Sequence, residues 1–125
     1  MAARFTELIV DAADPEALAR WWAEVLGWRL TEADDEGAEI ADPGGALPTI
    51  VFVPVPEAKA AKNRLHIDVS PVGSHQEAEL GRLLSLGATR ADVGQGDVSW
   101  VVLHDPEGNE FCLLRRQVEA APGPS

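Results

Sequence analysis

The stretch VSWVVLHDPEGNEFCLLRR (residues 98–116) contains a turn whose chemistry is legible residue by residue. Residues 98–104 are a β-branched and aromatic run, the composition of a strand. Asp105, Pro106, Glu107 and Gly108 place an acceptor side chain first, a fixed φ second and a free φ fourth, as a tight turn requires. Residues 110–115 return as the partner strand. Earlier in the chain Asp42, Pro43, Gly44 and Gly45 precede TIVFVPV (residues 49–55), a turn of the same chemistry followed by another β-branched run. One supersecondary unit therefore occurs twice.

Outward from these turns, each copy is completed by the residues that precede it. Residues 5–11 alternate as a strand. Asp14 and Pro15 open a helix whose apolar positions Leu18, Trp21, Trp22, Val25 and Leu26 recur at three-and-four spacing, and Gly27 ends it. Strands over 28–31, 39–41 and 49–55 complete a β-α-β-β-β unit, closed by Pro54 and Pro56. A linker is predicted over 57–63. The second unit restarts with a strand over 64–70, in which Leu65, Ile67 and Val69 share one face. Ser74 and Glu77 have the spacing of a capping box before the stripe Ala78, Leu80, Leu83 and Leu84. Strands over 88–93, 98–104 and 110–115 follow, with 92–97 as a hairpin loop and 119–125 as a frayed tail. The two Leu-Gly helix ends lie 60 residues apart (87 − 27), and the first strands match at 59, which sets Glu7 opposite His66.

The expected fold is thus α+β: two tandem βαβββ modules, 4–56 and 64–116, in one domain over 1–118. Their helix-free faces are expected to form a curved mixed sheet around a cleft. A chain of 125 residues with 46% hydrophobic and 25% charged content is ordinary for a folded domain. Its formal charge of −11 argues against nucleic-acid and anionic-membrane partners and favours a small neutral or cationic ligand. Lys59, Lys62 and Arg64, the only basic cluster, read as a solvated linker rather than an anion site. A single cysteine, Cys112, forbids an intrachain disulfide and fits a reducing cytoplasm, and the N-terminal sequence has neither a signal-peptide pattern nor a membrane span.

DPEALARWWAEVLGWRL, NRLHIDVSP and VVLHDPEGNEFCLL together resemble the vicinal oxygen chelate superfamily, the glyoxalase, bleomycin-resistance and dioxygenase fold, and more narrowly its small glyoxalase-like domains. The resemblance runs from Phe5 to about Arg115. It implies a homodimer. In metal-dependent relatives one residue from the first strand of each module and one from the last hold a divalent ion; carried over, the first-strand positions are Glu7 and His66. The second-module carboxylate position falls on Cys112, and no residue from 44 to 56 offers a carboxylate, imidazole or thiol. The metal set is therefore Glu7, His66 and Cys112 at most, which is incomplete, so no cofactor is expected although a divalent metal is possible.

The ligand-binding set expected on the helix-free faces is Glu7, Phe52, His66, Asp68, Trp100 and Cys112. His66 and Glu7 are the catalytic candidates, as a tuned acid and base. Cys112 alternates with Phe111 and Leu113 and should turn its thiol toward the cleft, more as a small hydrophobe than a nucleophile. Trp100 shares a strand parity with Val98, Val102 and His104 and could stack on a ligand. His104 and His75 read as a strand-end and an exposed helix-start residue, and Gly94-Gln95-Gly96 lacks the strand-to-helix context of a phosphate loop. Three functions follow: a glyoxalase-like small-molecule binder without a full metal site, a metal-dependent isomerase or lyase of the same fold, or a protein that sequesters an antibiotic or metabolite.

Overall fold

The computed structural model describes residues 2–91 and 99–119. The elements follow in the order β1 (Glu7–Ala12), α1 (Pro15–Leu26), β2 (Arg29–Asp34), β3 (Gly37–Ala41), β4 (Thr49–Pro54), then β5 (Ile67–Val69), α2 (Gln76–Ser85), β6 (Thr89–Arg90), β7 (Val101–His104) and β8 (Glu110–Leu113). This is βαβββ twice. Each module builds its own four-stranded mixed sheet, with strand order β1-β4-β3-β2 in the first and β5-β8-β7-β6 in the second. The first strand runs parallel to the last in both, and the remaining pairs are antiparallel. The chain divides into two compact units at Ala58 and Lys59, so residues 59–63 of the predicted linker travel with the second module.

In the first module, Asp14 accepts a hydrogen bond from the Ala17 N–H at 3.2 Å and Pro15 fills the first helical position; a cap of this kind contributes about 1 kcal/mol. Gly27 closes α1 in the left-handed conformation. Leu18, Ala19, Trp22 and Val25 form its buried stripe. They meet a sheet face on which Ala38 pairs with Phe52 and Ile40 with Ile50, all four buried. Trp21 packs edge-on against Trp22, ring centroids 5.1 Å apart. The expected amphipathic helix and its sheet are both present.

The repeated turn is reproduced atom for atom. Asp42 Oδ1 accepts from the Gly44 N–H and its carbonyl from the Gly45 N–H; Asp105 Oδ1 accepts from the Glu107 N–H and its carbonyl from the Gly108 N–H. Gly45 and Gly108 both have positive φ, 80° and 84°, where a side chain would be strained. Asn109 adds two more bonds from its side-chain amide to the second Asp, and Asp105 is buried where Asp42 is not.

Several boundaries in the second module differ from the sequence reading. The strand expected over 64–70 is only Ile67–Val69, and Leu65 is 81% exposed rather than on the apolar face. The strand expected over 98–104 begins at Val101. His75, not Ser74, occupies the cap position of α2, with no side-chain bond to the helix; its ring instead meets Gln117 at 3.1 Å. Only Leu83 of the predicted α2 stripe is buried, and α2 is tied down through Gln76, whose amide donates to the carbonyls of Ser99 and Leu113. Val118, the last residue before the predicted tail, bridges to Val72. The expected hairpin loop over 92–97, with its Gly94-Gln95-Gly96, and the tail beyond residue 119 lie outside the described residues.

Candidate functional site

Alternation along β8 decides which side chains share a face. Phe111 and Leu113 are fully buried, so Glu110 and Cys112 face the other way. The parallel register sets Asp68 beside Cys112, and the antiparallel register sets Val102 opposite Cys112 and His104 opposite Glu110. His66 precedes β5 by one residue and shares the parity of Asp68. One face of the second sheet thus collects His66, Asp68, Cys112, His104 and Glu110.

At one end of this face, His66 Nε2 lies 3.1 Å from Asp68 Oδ1, with both side chains about half exposed. The Cys112 thiol completes a group whose donor atoms all lie within 4.8 Å of one another. Burial pushes the thiol's pKa up, and the charge of Asp68 and a hydrogen bond to it push the same way, against a smaller opposite pull from Lys62. A thiol held in its protonated form is a weak nucleophile. It serves here as a small, polarizable contact flanked by an imidazole and a carboxylate.

A nitrogen, an oxygen and a sulfur donor form the set that zinc accepts, and His66 Nε2 and Asp68 Oδ1 are spaced as two ligands of one ion would be. These residues fit such an ion as a three-donor site with an open position. Loading it requires the imidazole and carboxylate to give up their mutual contact and the thiol to lose a proton that Asp68 helps retain. The grouping contains His66 and Cys112 of the expected set together with Asp68, two residues along the strand from His66; Glu7 belongs to the other compact unit.

At the other end, a groove of about 510 Å³ is lined by the 59–62 connector, His104 and the turn residues Glu107 and Gly108, with Glu110 at its base. The Glu110 side chain, 8% exposed, accepts the Asn63 N–H on Oε1 at 2.7 Å and pairs through Oε2 with Lys59 Nζ at 3.0 Å; His104 Nε2 stands 3.8 Å away. Burial alone would raise the Glu110 pKa, but the Asn63 N–H, Lys59 and His104 together outweigh it and hold the carboxyl below its ordinary range. Lys59 also donates to the Ala61 carbonyl. The basic cluster is exposed, as a solvated linker would be, but Lys59 is also engaged. Lys59 is an ion-paired residue on the second module, and Lys62 borders a groove.

The other expected residues fall as follows. Phe52 is 1% exposed and lies in the core with Ile50, because β4 alternation turns it toward the buried face; it lines no ligand surface. Glu7 is exposed at the start of β1, opposite Thr49. Trp100 is 41% exposed in the bend before β7 and outside the strand pairing, while the residue 98 side of its predicted face is not described. Two residues escaped the sequence reading. Glu110 shares the parity of Cys112, a signal that was available. Glu39 on β3 accepts from Thr31 Oγ at 2.7 Å and Thr49 Oγ at 3.1 Å, an arrangement that depends on a bulge at Thr31.

A Glyoxalase-like domain family model matches residues 7–114. No protein of curated function matches the chain in sequence. Among solved structures, a possible glyoxalase from Bacillus cereus superposes with a TM-score of 0.66 at 16% identity, over 90% of this chain and 99% of that one. A member of the glyoxalase/bleomycin resistance protein/dioxygenase superfamily from Sphaerobacter thermophilus gives 0.61 at 14%, over 92% and 98%. The oxidase ChaP-H2 gives 0.62 at 17%, over 97% and 100%. At these identities the likeness is one of fold. With the family model spanning both βαβββ modules, the chain belongs to the glyoxalase-like domain family.

Proposed function

We propose that this glyoxalase-like domain binds a small organic molecule against the helix-free face of its second module, with His66, Asp68 and Cys112 as the contacting groups. The observation that supports this reading is the meeting of a half-exposed imidazole and carboxylate with a buried, protonated thiol, their donor atoms within 4.8 Å of one another. Such a set can accept and donate hydrogen bonds to a hydroxyl or carbonyl group while the thiol offers an apolar contact. Trp100 and Glu7 enter as further contacts to be tested by substitution. Turnover and simple sequestration are the two uses proposed for such a site.

The experiment is an NMR screen of small oxygenated organic compounds against the isotopically labelled chain. Shifts that saturate and centre on His66, Asp68 and Cys112, and that vanish in His66→Ala and Cys112→Ser, carry the reading. Shifts centred elsewhere, or unaltered in both variants, refute it.

A second reading, a metal-dependent isomerase or lyase, is favoured by the same nitrogen, oxygen and sulfur grouping. His66, Asp68 and Cys112 would hold the ion, which when bound supplies Lewis-acid polarisation of a carbonyl or vicinal-diol oxygen. Asp68 is then committed to the metal.

A further inference from the structure

The groove at the connector holds charged groups that differ in how far they are already engaged. Its base carboxylate is spent inside the protein: both Glu110 oxygens are occupied, one by the Asn63 N–H and one by Lys59. Lys59 is spent as well, on Glu110 and the Ala61 carbonyl. Two groups are not. Lys62, on the groove wall, makes no hydrogen bond or ion pair with any described residue. The His104 ring, also on the lining, stands 3.8 Å from Glu110, beyond hydrogen-bond reach. Lys62 thus brings to the groove an ammonium with no acceptor among the described residues, and the His104 ring adds a donor in either of its protonation states. A group that only accepts, an oxyanion, is the complement of such a wall.

The groove's Glu110 and His104 also lie on the same sheet face as Cys112. Lys62 is near enough for its charge to act on the Cys112 thiol, and Glu110 and Cys112 are two residues apart on one side of β8. We infer that this groove takes the anionic head, a carboxylate or phosphate, of the small ligand whose remainder lies over His66, Asp68 and Cys112. The inference rests on the proposed ligand face and narrows its substrate class to anions. The chain's −11 charge pointed instead to a neutral or cationic ligand. Most of the chain's carboxylates are remote and damped by salt over a Debye length of about 8 Å; of the two on the groove lining, Glu110 is offset by Lys59 and Glu107 opposes the anion, while Lys62 and His104 would touch it directly. Local donors therefore outweigh the global charge.

The test titrates inorganic phosphate and acetate, separately and at constant ionic strength, into the labelled full-length chain. Saturable shifts at Lys62, His104 and Gly108 are expected. Lys62→Gln should weaken half-saturation by about tenfold, the loss of one charge-assisted bond, and His104→Phe should weaken it as well through the loss of a ring donor. Arg64→Gln, outside the groove wall, should leave it unchanged. Saturation by phosphate alone or by acetate alone supports the inference and selects the head group. Shifts that never saturate, or that persist equally in both groove variants, overturn it as adventitious ion binding. If anions perturb nothing while neutral compounds still shift His66 and Cys112, the groove inference falls alone and the proposed ligand face stands.

Discussion

Replacing Glu110 by Gln removes a charge and little volume, so it isolates the electrostatic clamp between β8 and the connector. The carboxylate accepts from the Asn63 N–H at 2.7 Å and from Lys59 at 3.0 Å, one bond per oxygen. A glutamine amide has one acceptor oxygen and an NH2 group that only donates, so it can satisfy Asn63 or Lys59 but must point N–H groups at the other. A lost hydrogen bond to a charged group costs about 1.5–3 kcal/mol. The lower part of that range applies, because the Lys59 side chain is 21% exposed and can turn toward water. We expect a loss of about 2 kcal/mol, or about 8 °C in Tm for a chain of this size. Glu110→Ala, which strands both donors, should cost about 3 kcal/mol. The pH dependence supplies an independent readout. The folded pKa of Glu110 lies below its ordinary value of 4.5, so its stabilisation is complete above that pH and is lost as pH falls through the folded value. Thermal unfolding followed by circular dichroism at neutral pH, and in steps toward acid, should therefore show the variant less stable at neutral pH and converging on the parent in acid. A Tm change within about 1 °C, or parallel acid limbs, would refute the clamp.

The raised pKa of Cys112 predicts slow alkylation by iodoacetamide near neutral pH, faster in Asp68→Asn, where one cause of the elevation is gone; mass spectrometry of timed samples measures it, and a rate unchanged by the substitution would count against the contact. Gly37→Ala would set a Cβ 2.3 Å from the Phe52 carbonyl oxygen, backbone that cannot yield, so the urea midpoint should fall by the equivalent of about 2–4 kcal/mol; an unchanged midpoint would mean that the β3–β4 contact relaxes freely. Elemental analysis of untagged protein should find well under one equivalent of transition metal, and stoichiometric metal that disappears in His66→Ala would move the assignment to the metal-dependent reading. Sedimentation should give a mass near twice 13.4 kDa, as the family leads us to expect, and the monomer value would remove the dimer.

What the sequence determined by itself was everything governed by near neighbours. The Asp-Pro-x-Gly turns, the Asp14 cap with Pro15, the helical stripe from Leu18 to Val25 and the 59–60 residue repeat are each written in a few consecutive positions. They were enough to order both modules and to bring the family into view. Where local signals were weak the reading slipped: Leu65 alternates correctly with Ile67 yet lies outside a strand only three residues long, and Ser74 has capping spacing without capping geometry. Phe52 shows a second kind of error, because strand alternation says that two faces exist and not which one a helix covers. The pairing of Cys112 with Asp68, and of Glu110 with Asn63 across 47 residues, was decided only by tertiary structure. Strand order and register are set by burying whole faces, and no short window of sequence carries that sum. A run of lysines that reads as solvated linker in isolation thereby becomes the wall of a groove, once β8 presents a buried carboxylate to one of them.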